Sequence, residues 1–314
     1  MNGSDGTKVS LAPAADGQQA VGHLTAPTTT SSLKCDFVDG NGVLVAASVD
    51  TLRLGCQVNP GFEEWAERAY GFKRTDIRPT GHKTTWRMPG VGFVDHYQYV
   101  DGRPSFLNLE YRPQEDDPSS LLGTFLSPLA VRRVDIALDY GSDFSGYVFD
   151  AKRLQRREYR SSQGKLDTLY LGAAGSAKQF RIYDKASEVN RKRRKTGEPE
   201  LAGPLWRIEA ELRSEYATIL PNDLFDGLVV RTGPSVGKLK WSDAASLYYA
   251  MAHPGIHRSC SKRTRDRVEA LIDQYGQPLD PAPSDVYRAC LPYLKNGIAF
   301  ILAMGGTCQS EVAS

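Results

Sequence analysis

Three stretches of this chain alternate polar and apolar residues without a break: RRVDIALDY (132–140), KQFRIYDK (178–185) and LWRIEAELR (205–213). Side chains two apart on a strand point the same way, so each stretch reads as a half-buried β-strand with one apolar and one charged face. Parity assigns the faces. Val134, Ile136 and Leu138 share the apolar side of the first run, which leaves Asp135 and Asp139 on the other. Phe180 and Ile182 leave Arg181, Tyr183 and Lys185, while Trp206, Ile208, Ala210 and Leu212 leave Arg207, Glu209, Glu211 and Arg213.

The segments between these runs suggest strand 132–139, helix about 147–158, strand 167–172, a Gly-Ser turn, strand 178–185, a basic helix about 186–195, a Gly-Pro loop and strand 205–213. The expected fold class is α+β: antiparallel sheets with a ferredoxin-like β-α-β-β-α-β catalytic unit, both helices on one sheet face and the site on the open face. That topology has spatial strand order 4-1-3-2, which makes the charged strands neighbours. Upstream, 34–131 reads as a β-rich half, with runs at 44–48, 52–57, 84–88, 93–100 and 105–111 and one helix entered at Asn59 and Pro60. Downstream, 241–314 reads as a helical C-terminal extension, with helices at 242–252, 264–275 and 284–304. Residues 1–33, small and polar without periodicity, read as a disordered tail. The expected division is thus 1–33, 34–131, 132–240 as the catalytic half, and 241–314.

A net charge of +2 over 314 residues hides an uneven distribution. Residues 151–213 hold 16 Lys/Arg against 8 Asp/Glu, whereas 101–150 hold 4 against 9, and a local basic excess of this kind suits an anionic partner. Arg156, Arg157, Arg160, Arg191, Lys192, Arg193, Arg194 and Lys195, with Arg207 and Arg213, are the candidate DNA-binding residues. The five cysteines form no Cys-x-x-Cys pair, which disfavours a zinc site or a disulfide framework. No apolar run is long enough for a bilayer span and the N-terminus has no apolar signal core, so a cytoplasmic protein without a membrane partner is expected.

Asp135, Asp139, Glu209 and Glu211 on neighbouring strands suit Mg²⁺ or Mn²⁺, which takes a few protein oxygens and leaves places for phosphate. The bland alternative is a set of cross-strand ion pairs, each contributing at most about 1 kcal/mol. A tyrosine has a pKa near 10 and needs help to attack a phosphodiester. Lys185 and Arg181, on the same strand face as Tyr183, are placed to stabilise phenolate or the charge that develops on phosphorus. Catalytic residues are therefore expected to be Tyr183, Lys185 and Arg181.

The runs RVDIALDY (133–140), LYLGAAGSAKQFRIYDKASE (169–188) and WRIEAELR (206–213) resemble the motif blocks of the replication initiation factor family, which comprises rolling-circle replication initiators of plasmids and filamentous phages and relaxases of some conjugative elements. The resemblance covers roughly 45–225 and is most specific at Arg-Ile-Tyr-Asp-Lys-x-x-Glu (181–188). It implies that Tyr183 is the nicking tyrosine, that Asp135 and Glu209 hold the metal with Asp139 or Glu211, and that the product is a 5′-phosphotyrosyl link with a free 3′-hydroxyl. Unlike initiators that chelate metal through His-hydrophobic-His, this chain has no His-x-His. The implied function is origin-specific nicking and rejoining of one DNA strand in rolling-circle replication. The implied partners are single-stranded and origin double-stranded DNA, a host helicase and DNA polymerase, with a homodimer left open by the sequence. The alternatives are a relaxase of a conjugative or mobilisable element, a metal-dependent hydrolytic endonuclease, and a non-catalytic nucleic-acid-binding module.

Overall fold

The computed structural model describes residues 23–25, 33–39, 42–57, 61–71, 73–78, 81–122, 125–126, 129–151, 154–232, 239–252 and 256–306. The first half contributes β1 (His23–Thr25), β2 (Lys34–Val38), β3 (Leu44–Gln57), α1 (Phe62–Tyr70), β4 (Lys73–Arg78), β5 (Gly81–Met88), β6 (Gly92–Tyr99) and β7 (Phe106–Tyr111). The second adds β8 (Ala130–Tyr140), β9 (Val148–Ala151), β10 (Arg156–Arg160), β11 (Leu166–Leu171), β12 (Lys178–Asp184), α2 (Lys185–Thr196), β13 (Trp206–Arg213), α3 (Ser214–Ile219) and β14 (Leu228–Thr232). It closes with α4 (Trp241–Ala252), α5 (Lys262–Tyr275), β15 (Gln277–Pro278) and α6 (Pro283–Gly306).

Ten strands form one antiparallel path, β10-β11-β12-β13-β8-β3-β7-β6-β5-β4, with β2 beside the first part of β3 and β1 beside β2. The α+β class with antiparallel sheet is thus as expected, and after residue 240 the described residues include the helices α4, α5 and α6. The two short runs at 44–48 and 52–57 are one 14-residue strand, irregular between Val49 and Thr51. It pairs with β8 along most of its length and joins the two halves of the sheet.

The ferredoxin-like unit is corrected in two respects. The segment 147–158 is not a helix but β9 and the start of β10. On a strand Arg156, Glu158 and Arg160 line up on one side, with Glu158 2.5 Å from Arg156 and 2.9 Å from Arg160. A helix would scatter these charges around its axis. The four strands named in the sequence run β11-β12-β13-β8, so the last sits between the third and the first. That order follows from local pairing: β12 takes β11 on one edge across the 172–177 connection and β13 on the other after α2.

The apolar face is covered by α3, which packs on β8 and β13, and by α6, which packs on β2, β3 and β8, while α2 buries only Ala186. Phe225 bridges the layers, its ring 5.5 Å from Phe180 of the sheet and 5.2 Å from Tyr287 of α6. In the first half α1 packs Phe62 edge-on to Trp86. Of the expected tail, His23–Thr25 pairs with β2 and Leu33 is buried, while the rest of 1–32 lies outside the described residues, as do Asn59 and Pro60. Among the described residues no helix is long and apolar enough to cross a membrane. Phe225→Ala removes the ring that ties α6 to the sheet and is expected to lower stability by about 3–5 kcal/mol in denaturant unfolding.

Candidate active site

The pairings of β12, β13 and β8 determine which charged side chains meet. Tyr183 faces Arg207, which faces Asp139; Arg181 faces Glu209, which faces Ala137; Gln179 faces Glu211, which faces Asp135. Directly paired residues share a face. The residues assigned to one side by parity therefore do stand together on one side, three strands wide.

Each acid has a basic neighbour. Arg133 donates to Asp135 at 2.5 and 2.8 Å and lies 3.0 Å from Glu211, which is also held by Arg213 at 2.7 Å. Arg207 grips Asp139 with two hydrogen bonds at 2.6 and 2.7 Å and reaches on to Asp50. Glu209 is 3.7 Å from Arg181 and accepts the Tyr183 phenol at 3.4 Å. Arg133 and Asp50 did not emerge from the sequence as site residues. Arg133 was legible, since it has the parity of Asp135. Asp50 sits where β3 slips register against β8, so alternation could not place it.

This charged layer is covered rather than open. Tyr183 is 4% exposed, Glu209 4% and Asp135 2%. The Tyr183 ring lies under the Arg181 guanidinium, 4.1 Å from its centroid, with Lys185 Nζ at 5.7 Å. Burial raises the Tyr183 phenol above its ordinary value and the Glu209 carboxylate adds to the rise, against the opposing pull of Arg207 and Arg181. Burial, then the charge of Asp135, pushes Glu209 up to about 7. Burial likewise pushes Asp135 up to about 6, although Arg133 opposes it.

Beyond Tyr183 the strand turns into α2, whose N-terminus Asp184 caps by accepting from the Ser187 backbone at 2.9 Å. One turn on, Glu188 is 3.1 Å from Lys185 and 2.8 Å from Lys192. Its burial works upward, but the two lysines outweigh it and hold the carboxyl down at about 2.

The candidate DNA-binding residues separate into groups. Arg157 is on the tyrosine side of the sheet, 5.2 Å from the Tyr170 ring, whereas Arg156 and Arg160 are on the other side with Glu158. Arg207 is buried in its pairs with Asp139 and Asp50 and is not presented to solvent, while Arg213 is half-buried beside Glu211. On α2, Lys192, Arg193 and Arg194 have acid partners at 2.8, 3.9 and 3.6 Å, and Arg191 and Lys195 are exposed.

The chain is similar to replication initiation proteins. Two from Staphylococcus aureus are 27% and 32% identical over 150 residues, 47% of this chain and 46% of each relative. The chain thus spans about half the length of the curated relatives it matches. No family model matches. A rolling circle replication initiator protein from Geobacillus stearothermophilus superposes with a TM-score of 0.36 at 16% identity, covering 62% of this chain and 89% of that one.

A carboxyl whose pKa is raised by folding weakens the fold when it ionises. For Glu209 the cost is absent below the unfolded value near 4.5, grows as pH rises through about 7, and is complete above it. Glu209→Gln removes the charge and is expected to stabilise the metal-free protein at pH 8, by on the order of 2 kcal/mol, and to gain much less at pH 5. Thermal unfolding at the two pH values measures the difference.

Proposed function

We propose that this chain is a rolling-circle replication initiator that nicks and rejoins one strand of origin DNA through a covalent 5′-phosphotyrosine at Tyr183. The observation that carries the reading is the hydrogen bond from the Tyr183 phenol to Glu209, on the sheet face that also holds Asp135 and Glu211. Replication initiation proteins as relatives support it, as does the resemblance at 181–188.

In this reading Tyr183 Oη attacks the scissile phosphorus while Glu209 Oε2 takes the phenol proton. A carboxylate that already accepts the phenol at rest is placed to take its proton and to return it. The bond from phosphorus to the 3′ oxygen breaks, the proton passes to that oxygen, and the 5′ phosphate remains ester-linked to the tyrosine. One ester replaces another, so the strand can be resealed by the reverse path without a nucleotide triphosphate. Arg181 and Lys185 flank the ring and offset the negative charge that develops, while Arg207 fixes the strand pairing behind it.

The donor chemistry of Asp135, Glu209 and Glu211 fits Mg²⁺ or Mn²⁺. These are hard oxygen ligands, and Asp135 and Glu211 are like charges directly opposed on neighbouring strands. Among the described residues no three His, Cys, Asp or Glu side chains are grouped as a ready-made metal cage. Arg133 stands between Asp135 and Glu211 where a cation would compete, and Asp139 is taken up by Arg207. A bound ion would polarise the non-bridging phosphate oxygens. The implied partners are single-stranded and origin DNA, a host helicase and a polymerase.

The test is transfer of end-labelled single-stranded origin DNA to the protein, read on a denaturing gel with and without Mn²⁺. Wild type is expected to carry label in Mn²⁺, and Tyr183→Phe to carry none while remaining folded. Cleavage by Tyr183→Phe at the wild-type rate would instead identify a hydrolytic endonuclease.

A further inference from the structure

The face that carries Tyr183 continues across the whole sheet, and its far end has a different chemistry. Arg213 faces Arg133, Arg133 faces Arg53, Arg53 faces Glu110, and Glu110 faces Phe93, all in register. On β6 and β7 this side presents Phe93, Tyr97, Tyr99 and Phe106, since Tyr97 pairs with Phe106 and side chains two apart share a side. Tyr97 and Phe106 are stacked at 4.6 Å with their planes within 8°, and Tyr99 lies 6.0 Å from Phe106. Phe93 is 48% exposed. The opposite side of β5 and β6, with Trp86 and Val94, is the one that packs against α1 and is buried. Tyr97, Tyr99 and Phe106 are half-buried against one another, so these rings keep part of their faces toward solvent on a side that α1 does not pack against.

Cations frame the rings. Arg103 lies 4.0 Å over Tyr99, Arg87 5.8 Å from Phe93 and Lys83 5.6 Å from Tyr97. Arg132 lies across Gly55, where a Cβ would come within 2.6 Å of its Nε, so the missing side chain is what lets the guanidinium rest on this face. Lys83 is matched by Asp95 and Arg103 by Asp101, but Arg87 and Arg132 are exposed and make no ion pair among the described residues.

We infer that Phe93, Tyr97, Tyr99 and Phe106 form a stacking platform for the unpaired bases of single-stranded DNA, with Arg87, Arg103 and Arg132 taking its phosphates. Flat rings beside cations, of which Arg87 and Arg132 make no ion pair among the described residues, match a polymer of exposed bases on an anionic backbone, whereas duplex DNA hides its base faces. The inference rests on the proposed function only for DNA as the partner class. It assigns the first half of the sheet to holding the strand that the second half would cut.

The experiment is fluorescence anisotropy of the full chain with a labelled mixed-sequence oligonucleotide of about 20 nucleotides in EDTA. Alanine substitution of a stacking ring costs about 1–3 kcal/mol per base, so Phe93→Ala combined with Tyr99→Ala is expected to weaken binding at least tenfold. Phe93→Tyr with Tyr99→Phe, which keeps both rings, is expected to bind like wild type, and an abasic strand is expected to bind wild type as poorly as the alanine variant binds the full strand. The proposal is overturned if the folded alanine variant binds within twofold of wild type, or if wild type does not bind the oligonucleotide. Ring-dependent binding without covalent transfer would sink the nicking reading alone. Covalent transfer with ring-independent binding would sink the platform alone.

Discussion

The antiparallel register of β12, β13 and β8 is the constraint on which the rest depends. It sets a phenol, four carboxylates and their arginines on one side of three adjacent strands, with Tyr183, Asp135, Glu209 and Arg207 buried among them. Buried charges persist only when paired and hydrogen-bonded. Here Arg133 serves Asp135 and Glu211, and Arg207 serves Asp139 and Asp50. Glu209 is the acid with the weakest arginine contact, 3.7 Å, and it is also the one that touches the tyrosine. The arrangement leaves a single carboxyl poised for proton exchange within a layer otherwise locked by bidentate pairs.

Covering of Tyr183 has a chemical meaning in the proposed mechanism. A phenol under a guanidinium and beside a carboxylate is protected from solvent and held as the neutral acid, so it is a poor nucleophile at rest. Arg181 is the more exposed member of the pair, and a phosphate draws arginine more strongly than an aromatic ring does. A DNA phosphate arriving at this face would compete for the same guanidinium that shields the ring.

How much of this was legible in the sequence depended on where alternation was strict. In the runs 132–140, 178–184 and 205–213 alternation assigns the strand residues to the sides on which they stand, because the period of a strand is two and each run is unbroken. Strand order was not legible: parity gives sidedness and says nothing about which edge pairs with which. The segment around Arg156–Arg160 was misread as helix because its charges dominate a short stretch with few apolar residues to reveal a period. Alternating acids and arginines suit either a metal or cross-strand ion pairs, and ion pairs are what this layer contains. Asp50 escaped because one irregular pairing in β3 shifts the side to which its side chain points. The aromatic cluster escaped for another reason, since rings in a strand usually signal a core, and sequence alone does not tell which face a helix will cover.

The continuity of β3 through both halves makes the sheet a rigid ruler. From β12 to β6 there are five steps along the path β12-β13-β8-β3-β7-β6, which at roughly 4.8 Å per step separates the tyrosine strand from the aromatic one by about 24 Å. Lateral hydrogen bonding holds neighbouring strands at a near-constant spacing, so the separation along the sheet is set by the number of strands between them. A polymer laid across it would be scored at a set number of units from wherever it is gripped, whatever the letters in between.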